Sequence, residues 1–201
     1  MRMRHAASTP TILALLVLVV VVASPARAGV NWWTPVGPEG GWISDLAVDP
    51  QTKTVYAATS GGVFASTNGG GSWERRNRGV HGYVSLLEVS SVPAPGLYVV
   101  GGEAVYRSRD GGLSWTSADV GVFGSGIQSM AVDPTDSSVI YAGLPYSGVL
   151  KSSDGGASWT LVLQGDSCGP VDSLVIDPRA ASTIYAGCGS GAAPLFKSTD
   201  G

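Results

Sequence analysis

The sequence predicts an all-β fold, a β-propeller of four-stranded antiparallel blades. Two observations carry this reading. A repeat near 43 residues runs through the chain with several short apolar segments per unit, and 29 glycines with six tryptophans in 201 residues fit many turns between packed strands. No sustained helical period appears outside the first 28 residues, and a hydrophobic share of 44% with 13% charged residues is too apolar for a disordered chain.

Residues 1–28 read as a secretory signal peptide. Arg2, Arg4 and His5 form a basic start, Ile12 to Ala23 is an unbroken apolar run, and Ala26-Arg27-Ala28 is a small-x-small cleavage site. The apolar run falls short of the ~20 residues that span a bilayer, so no stable membrane insertion is expected after cleavage. The expected location is secreted, periplasmic or otherwise extracytoplasmic. Loss of Arg2, Arg4 and Arg27 leaves nine basic residues against 15 acids, a formal charge of −6. Such a domain is a poor binder of nucleic acid phosphates. His81 becomes the only histidine, and Cys168 and Cys188 are the only cysteines, so no zinc site, other metal site or cofactor is expected.

Residues 29–201 form the propeller domain, in units of about 40–80, 81–123, 124–166 and 167–201. Strand A carries Ile43–Val48, Ser85–Val89, Ile127–Val132 and Val171–Ile176, three of them followed by Asp-Pro at Asp49, Asp133 and Asp177. Strand B carries Tyr56, Tyr98, Tyr141 and Tyr185, spaced 42, 43 and 44 residues apart. Strand C ends in Ser-Thr, Ser-Arg or Ser-Ser, and strand D begins at a tryptophan. Strands A and B are apolar on both pleat faces, as expected when each blade packs between two neighbours.

The turn between C and D repeats Ser-x-Asp/Asn-x-Gly-x-x-Trp. It appears as Ser66, Asn68, Gly70, Trp73; as Ser108, Asp110, Gly112, Trp115; as Ser152, Asp154, Gly156, Trp159; and begins again at Ser198 and Asp200. Asp and Asn side chains accept bonds from backbone N–H groups just downstream, glycine supplies positive φ, and the indole anchors the blade. The residues therefore read as structural, not catalytic, and too few carboxylates converge for calcium.

This pattern resembles the Asp-box, or bacterial neuraminidase repeat, of sialidases, xyloglucan-cleaving glucanases, sortilin-type receptors and the photosystem II assembly-factor family. The resemblance implies that these turns lie on the face away from any active site. Sialidases carry Phe-Arg-Ile-Pro before the first box, and no such segment occurs here. Around Tyr56–Gly62 the chain is similar to xyloglucan-cleaving enzymes, but Ser60 stands where those enzymes hold an acid. Glu88 breaks the repeat where Ala47, Ala131 and Val175 stand, which makes it the best lone acid; its bland reading is a strand residue facing the water-filled axis.

Other motifs read as decoys. Gly165–Gly169 contains Gly-x-Ser-x-Gly, but it falls in a D-to-A connection with no strand-to-helix elbow, and His81 belongs to another unit. Arg75, Arg76 and Arg78 crowd an outer strand, where charge blocks edge pairing.

No catalytic residue is assigned. The D-to-A and B-to-C loops share one face, and Trp42, Tyr83, Phe123 and Tyr146 fall in or beside them, suited to stacking on a sugar or anchoring a protein. The expected function is an exported non-catalytic scaffold with a protein or carbohydrate partner. The alternative is an N-terminal fragment of a secreted glycoside hydrolase. Cys168 precedes strand A and Cys188 follows strand B of one hairpin, so a disulfide is expected after export. Val30–Gly37 resembles a strand D, and Trp32 read after Gly201 would complete the fourth box. The N-terminal strand is therefore expected to pair with the last strand C.

Overall fold

The structure is a computed structural model that describes residues 33–39, 41–90, 96–102, 104–118, 126–146, 148–164, 168–190 and 194–201. The signal segment, Trp32, Phe123 and Ser167 lie outside the described residues. The chain divides into two units, Met1–Pro35 and Val36–Gly201. In the first, only Trp33–Pro35 is described, exposed and without regular structure. All the strands belong to the second.

The fold is all-β, and four antiparallel sheets form the blades of a propeller. The first is β1 (Ile43–Val48), β2 (Val55–Thr59), β3 (Gly62–Ser66) and β4 (Glu74–Arg75). The second is β5 (Val84–Ser90), β6 (Gly96–Gly101), β7 (Ala104–Ser108) and β8 (Thr116–Ala118), and the third is β9 (Ser129–Val132), β10 (Ile140–Gly143), β11 (Gly148–Ser152) and β12 (Thr160–Gln164). The fourth has three strands, β13 (Val171–Asp177), β14 (Ala180–Cys188) and β15 (Leu195–Ser198). No described strand pairs with the outer edge of β15, so the expected pairing with the N-terminal segment is not made among the described residues.

Strand order equals chain order within every sheet, because each neighbour pair is a hairpin closed by local turn chemistry. The Asp49 carboxylate accepts from Gln51 N at 2.9 Å and Thr52 Oγ1 at 2.6 Å, while Asp133 and Asp177 accept from Thr135 N and Arg179 N. These are A-to-B turns. At the C-to-D turns, Ser108 Oγ donates to Asp110 Oδ1 and accepts from Gly112 N at 2.8 Å, while Ser114 N donates to Asp110 Oδ1 at 2.9 Å. Ser152, Asp154, Gly156 and Ser158 repeat the set. Asn68 accepts the same backbone bond from Ser72 N, and Ser198 donates to Asp200. Gly112 sits at φ +84° with the Arg76 Cβ 3.2 Å from where its own Cβ would stand, so both conformation and space require glycine. The serine and backbone donors hold the Asp110 carboxyl down at about 2, which marks it as an ionised turn fastener, not a proton donor.

The core consists of three apolar clusters between successive blades. Tyr56, Val63, Leu87, Val99 and Trp115 join the first and second; Tyr98, Ile140, Leu144 and Leu150 lie between the second and third; Tyr141, Leu174, Ile176 and Ile184 lie between the third and fourth. Each fully buried aliphatic contributes about 1.5–3 kcal/mol. Polar bonds add register across the interfaces. Tyr98 OH donates to the Ser137 carbonyl and Ser129 Oγ donates to the Val171 carbonyl, at 2.7 Å for the latter. Tyr98, on strand B, is thus an inter-blade fastener whose ring is buried and whose hydroxyl reaches the next blade.

Candidate functional site

The face opposite the C-to-D turns collects the D-to-A and B-to-C loops. In the first and fourth blades these loops are tied together. Ser60 N donates to the Trp42 carbonyl at 2.9 Å and Trp42 N donates to Ser60 Oγ at 3.2 Å. In the fourth blade Gly169 N bonds the Ser190 carbonyl and Gly189 N the Pro170 carbonyl, both at 2.8 Å, and Cys168 and Cys188 form a disulfide with Cα atoms 5.5 Å apart. Three of the four aromatics selected from the sequence stand on these loops with exposed rings: Trp42 at 86%, Tyr146 at 77% and Tyr83 at 52%. None of the three contributes to the inter-blade clusters.

Glu88 sits at the middle of β5, half-buried, within reach of the Asp45 charge on β1. Burial first, and the Asp45 charge second, push its carboxyl up from 4.5 to about 7. Asp45 itself accepts from Leu46 N and Leu87 N, both at 2.8 Å, so its carboxylate bridges the first and second blades. Sequence reasoning missed Asp45, although the repeat contained the signal: Ser129 and Ser173 hold the corresponding places in later units. Glu88 is thus the acid of this neighbourhood that titrates near neutrality. Among the described residues, no group of three or more histidine, cysteine or acidic side chains is placed to hold a metal.

The raised value makes ionised Glu88 a cost to the fold. The folded state holds this proton more tightly than the unfolded chain, so the contribution of Glu88 to stability is most favourable below pH 4.5 and is lost as pH rises through about 7. Glu88→Gln is therefore expected to stabilise the protein by about 1–2 kcal/mol at pH 8, after allowance for screening at a half-buried site, and to change little at pH 4. Paired thermal melts at the two pH values check this. Equal effects at both would remove the charge-based account.

No protein-family model and no curated protein sequence matches the chain. Solved structures do. An ancestral GH74 enzyme matches with 26% identity and a TM-score of 0.66, over 86% of this chain and 25% of its own length. GH74 from Niastella koreensis gives 28% identity and a TM-score of 0.65, over 81% of this chain and 29% of its own. YCF48 bound to D1 peptide gives 14% identity and a TM-score of 0.59, over 80% of this chain and 52% of its own. The protein is thus a β-propeller similar in fold to GH74 enzymes and YCF48, spanning between a quarter and a third of the length of those GH74 enzymes.

Proposed function

We propose that this protein is an exported, non-catalytic propeller that recognises a carbohydrate or protein partner through its loop face. The observation that carries the reading is the set of exposed rings at Trp42, Tyr83 and Tyr146, which contribute nothing to the inter-blade core. Aromatic rings presented without a packing role suit stacking on sugar faces or anchoring a peptide. Export is supported by the leader-like residues 1–28 and by the disulfide, which persists in oxidising compartments. The protein partner has a precedent of fold only, in YCF48 bound to D1 peptide.

A second reading, a portion of a glycoside hydrolase, is favoured by the GH74 similarity and by the acid of raised pKa at Glu88. Against it stands Ser60, an alcohol where the resemblance calls for an acid. Serine cannot act as the second carboxylate of a glycosidase pair.

The purified protein on a glycan array and a peptide array separates the partner classes. Trp42→Ala and Tyr146→Ala are each expected to weaken binding about tenfold or more, the usual effect of removing an aromatic anchor. No reducing sugar is expected from xyloglucan. Release of reducing ends that is abolished by Glu88→Gln would overturn the non-catalytic reading.

A further inference from the structure

The first C-to-D turn departs from the second and third at one group: Asn68 supplies an amide where Asp110 and Asp154 supply carboxylates. We propose that Asn68–Gly69 is a site of spontaneous deamidation, at which the folded turn converts its asparagine into the carboxylate that the other turns hold. This stands independently of any partner on the loop face.

The backbone presents the nucleophile. Gly71 N donates to the Asn68 carbonyl at 3.3 Å, with Gly69 at φ +67° and Gly70 at φ +92°, so residues 68–71 make a turn whose two central residues are left-handed. The nitrogens on either side of Gly69 are engaged: Asn68 N and Gly70 N both donate to Ser66 Oγ, at 3.4 and 2.8 Å. Gly69 N donates to no acceptor among the described residues, which leaves its proton to water. Asn68 and Gly69 are both exposed, and a side chain at Gly69 would meet nothing within 4 Å.

The side chains prepare the electrophile. Asn68 Oδ1 accepts from Ser72 N at 2.8 Å and from Ser66 Oγ at 3.0 Å. Two donors on one carbonyl oxygen draw electron density from Cγ and stabilise the anion that forms when a nucleophile adds there. Asn68 Nδ2 lies 3.0 Å from Ser72 Oγ, a hydroxyl able to hand a proton to the departing nitrogen. Gly69 N gives up its proton to water and bonds to Cγ; the Cγ–Nδ2 bond breaks, ammonia leaves, and a cyclic imide remains. Water then opens the imide at Cγ, leaving aspartate, or at the main-chain carbonyl, leaving isoaspartate. One water enters and one ammonia departs, with no oxidant or reductant.

The aspartate product fits the turn. Ser114 N and Oγ donate to Asp110 at 2.9 and 2.5 Å, and Ser158 N and Oγ donate to Asp154 at 2.9 and 2.6 Å. A carboxylate at position 68 changes the Ser72 hydroxyl from acceptor to donor, and hydrogen bonds to an ionised acceptor are about twice as strong as neutral ones. The conversion thus ends in the tighter turn. Asn77 supplies the contrast. It is half-buried, its Oδ1 accepts from Val63 N at 2.6 Å, its Nδ2 donates to the Gly61 carbonyl at 2.8 Å, and the bulky Arg78 follows it. Its amide is locked between strands, with a crowded nitrogen as the only neighbouring nucleophile.

Peptide mass spectrometry on the full exported chain, held folded at mildly alkaline pH, tests this. The Asn68 peptide is expected to gain the mass of an NH2-to-OH exchange about tenfold or more faster than the Asn77 peptide, a barrier difference of ~1.4 kcal/mol. The aspartate form should co-elute with the same peptide from an Asn68→Asp variant. That variant should melt above the parent at neutral pH, with the gain lost in acid as the carboxyl takes up its proton. Ser72→Ala keeps the backbone donor to Oδ1 and should slow the conversion. Asn68 left intact in the folded protein while the urea-unfolded chain converts would mean that the turn protects the amide, and would overturn the proposal. So would equal rates at Asn68 and Asn77.

Discussion

Replacing Trp115 with alanine is expected to lower the unfolding free energy by about 3–5 kcal/mol. The indole is only 6% exposed and lies in the cluster that joins the first two blades, with Tyr56, Val63 and Leu97. Its ring nitrogen and its main-chain nitrogen both reach across, donating to the carbonyls of Arg76 and Arg78 at 2.7 and 3.0 Å. Truncation removes the packing, leaves a cavity, and strips the Arg76 carbonyl of its donor. Trp115→Phe keeps most of the apolar surface and should cost less. Trp159 provides the internal control. It is half-buried, and its ring nitrogen bonds the Gly156 carbonyl of its own turn, so Trp159→Ala should cost clearly less than Trp115→Ala. Urea titrations of the two variants decide the matter; equal losses would show that the cross-blade bonds of Trp115 add nothing.

Removing the disulfide is expected to cost about 3 kcal/mol, the loop-closure value for residues 20 apart in the chain. Cys168 is fully buried, and its partner ends β14 directly across from Val171 at the start of β13, where the flanking loops also exchange two backbone bonds. The crosslink restricts the unfolded chain more than it holds the folded loops. The Cys168→Ala, Cys188→Ala double variant should therefore keep the native spectrum and unfold at lower urea. The loss should fall in the fourth blade, whose sheet has the fewest strands. A thiol assay on the exported, denatured protein should find no reactive cysteine; two reactive thiols would refute the crosslink.

How much could be read in advance follows the range of the interactions. The hairpins, their order and the C-to-D turns were legible because each depends on residues close in sequence. Ser108, Asp110 and Gly112 define their turn within five positions, and the strand-B tyrosines fall at a nearly constant interval of 42 to 44 residues. Strand ends differed by a residue or two. Strand D starts one residue after the tryptophan, because that residue turns inward as an anchor before pairing begins.

The candidate site was legible only in part. Trp42, Tyr83 and Tyr146 could be placed on loops from the repeat alone. The neighbourhood of Glu88 could not, because Asp45 comes from another blade, and a difference of 43 in number gives no direction for the side chain. Burial between two sheets then moves the Glu88 carboxyl to about 7, a property of its surroundings and not of its sequence.

By itself the sequence determined an all-β chain of repeated antiparallel units, since short apolar strands, turn residues and anchor tryptophans all act locally. Only the tertiary structure decided which apolar faces find a partner. Leu46 and Leu87 occupy the same position in their repeats, yet one is exposed and the other buried. The apolar pattern states that a face should be covered, while coverage is set by the packing of whole sheets, an interaction between blades that no single repeat encodes.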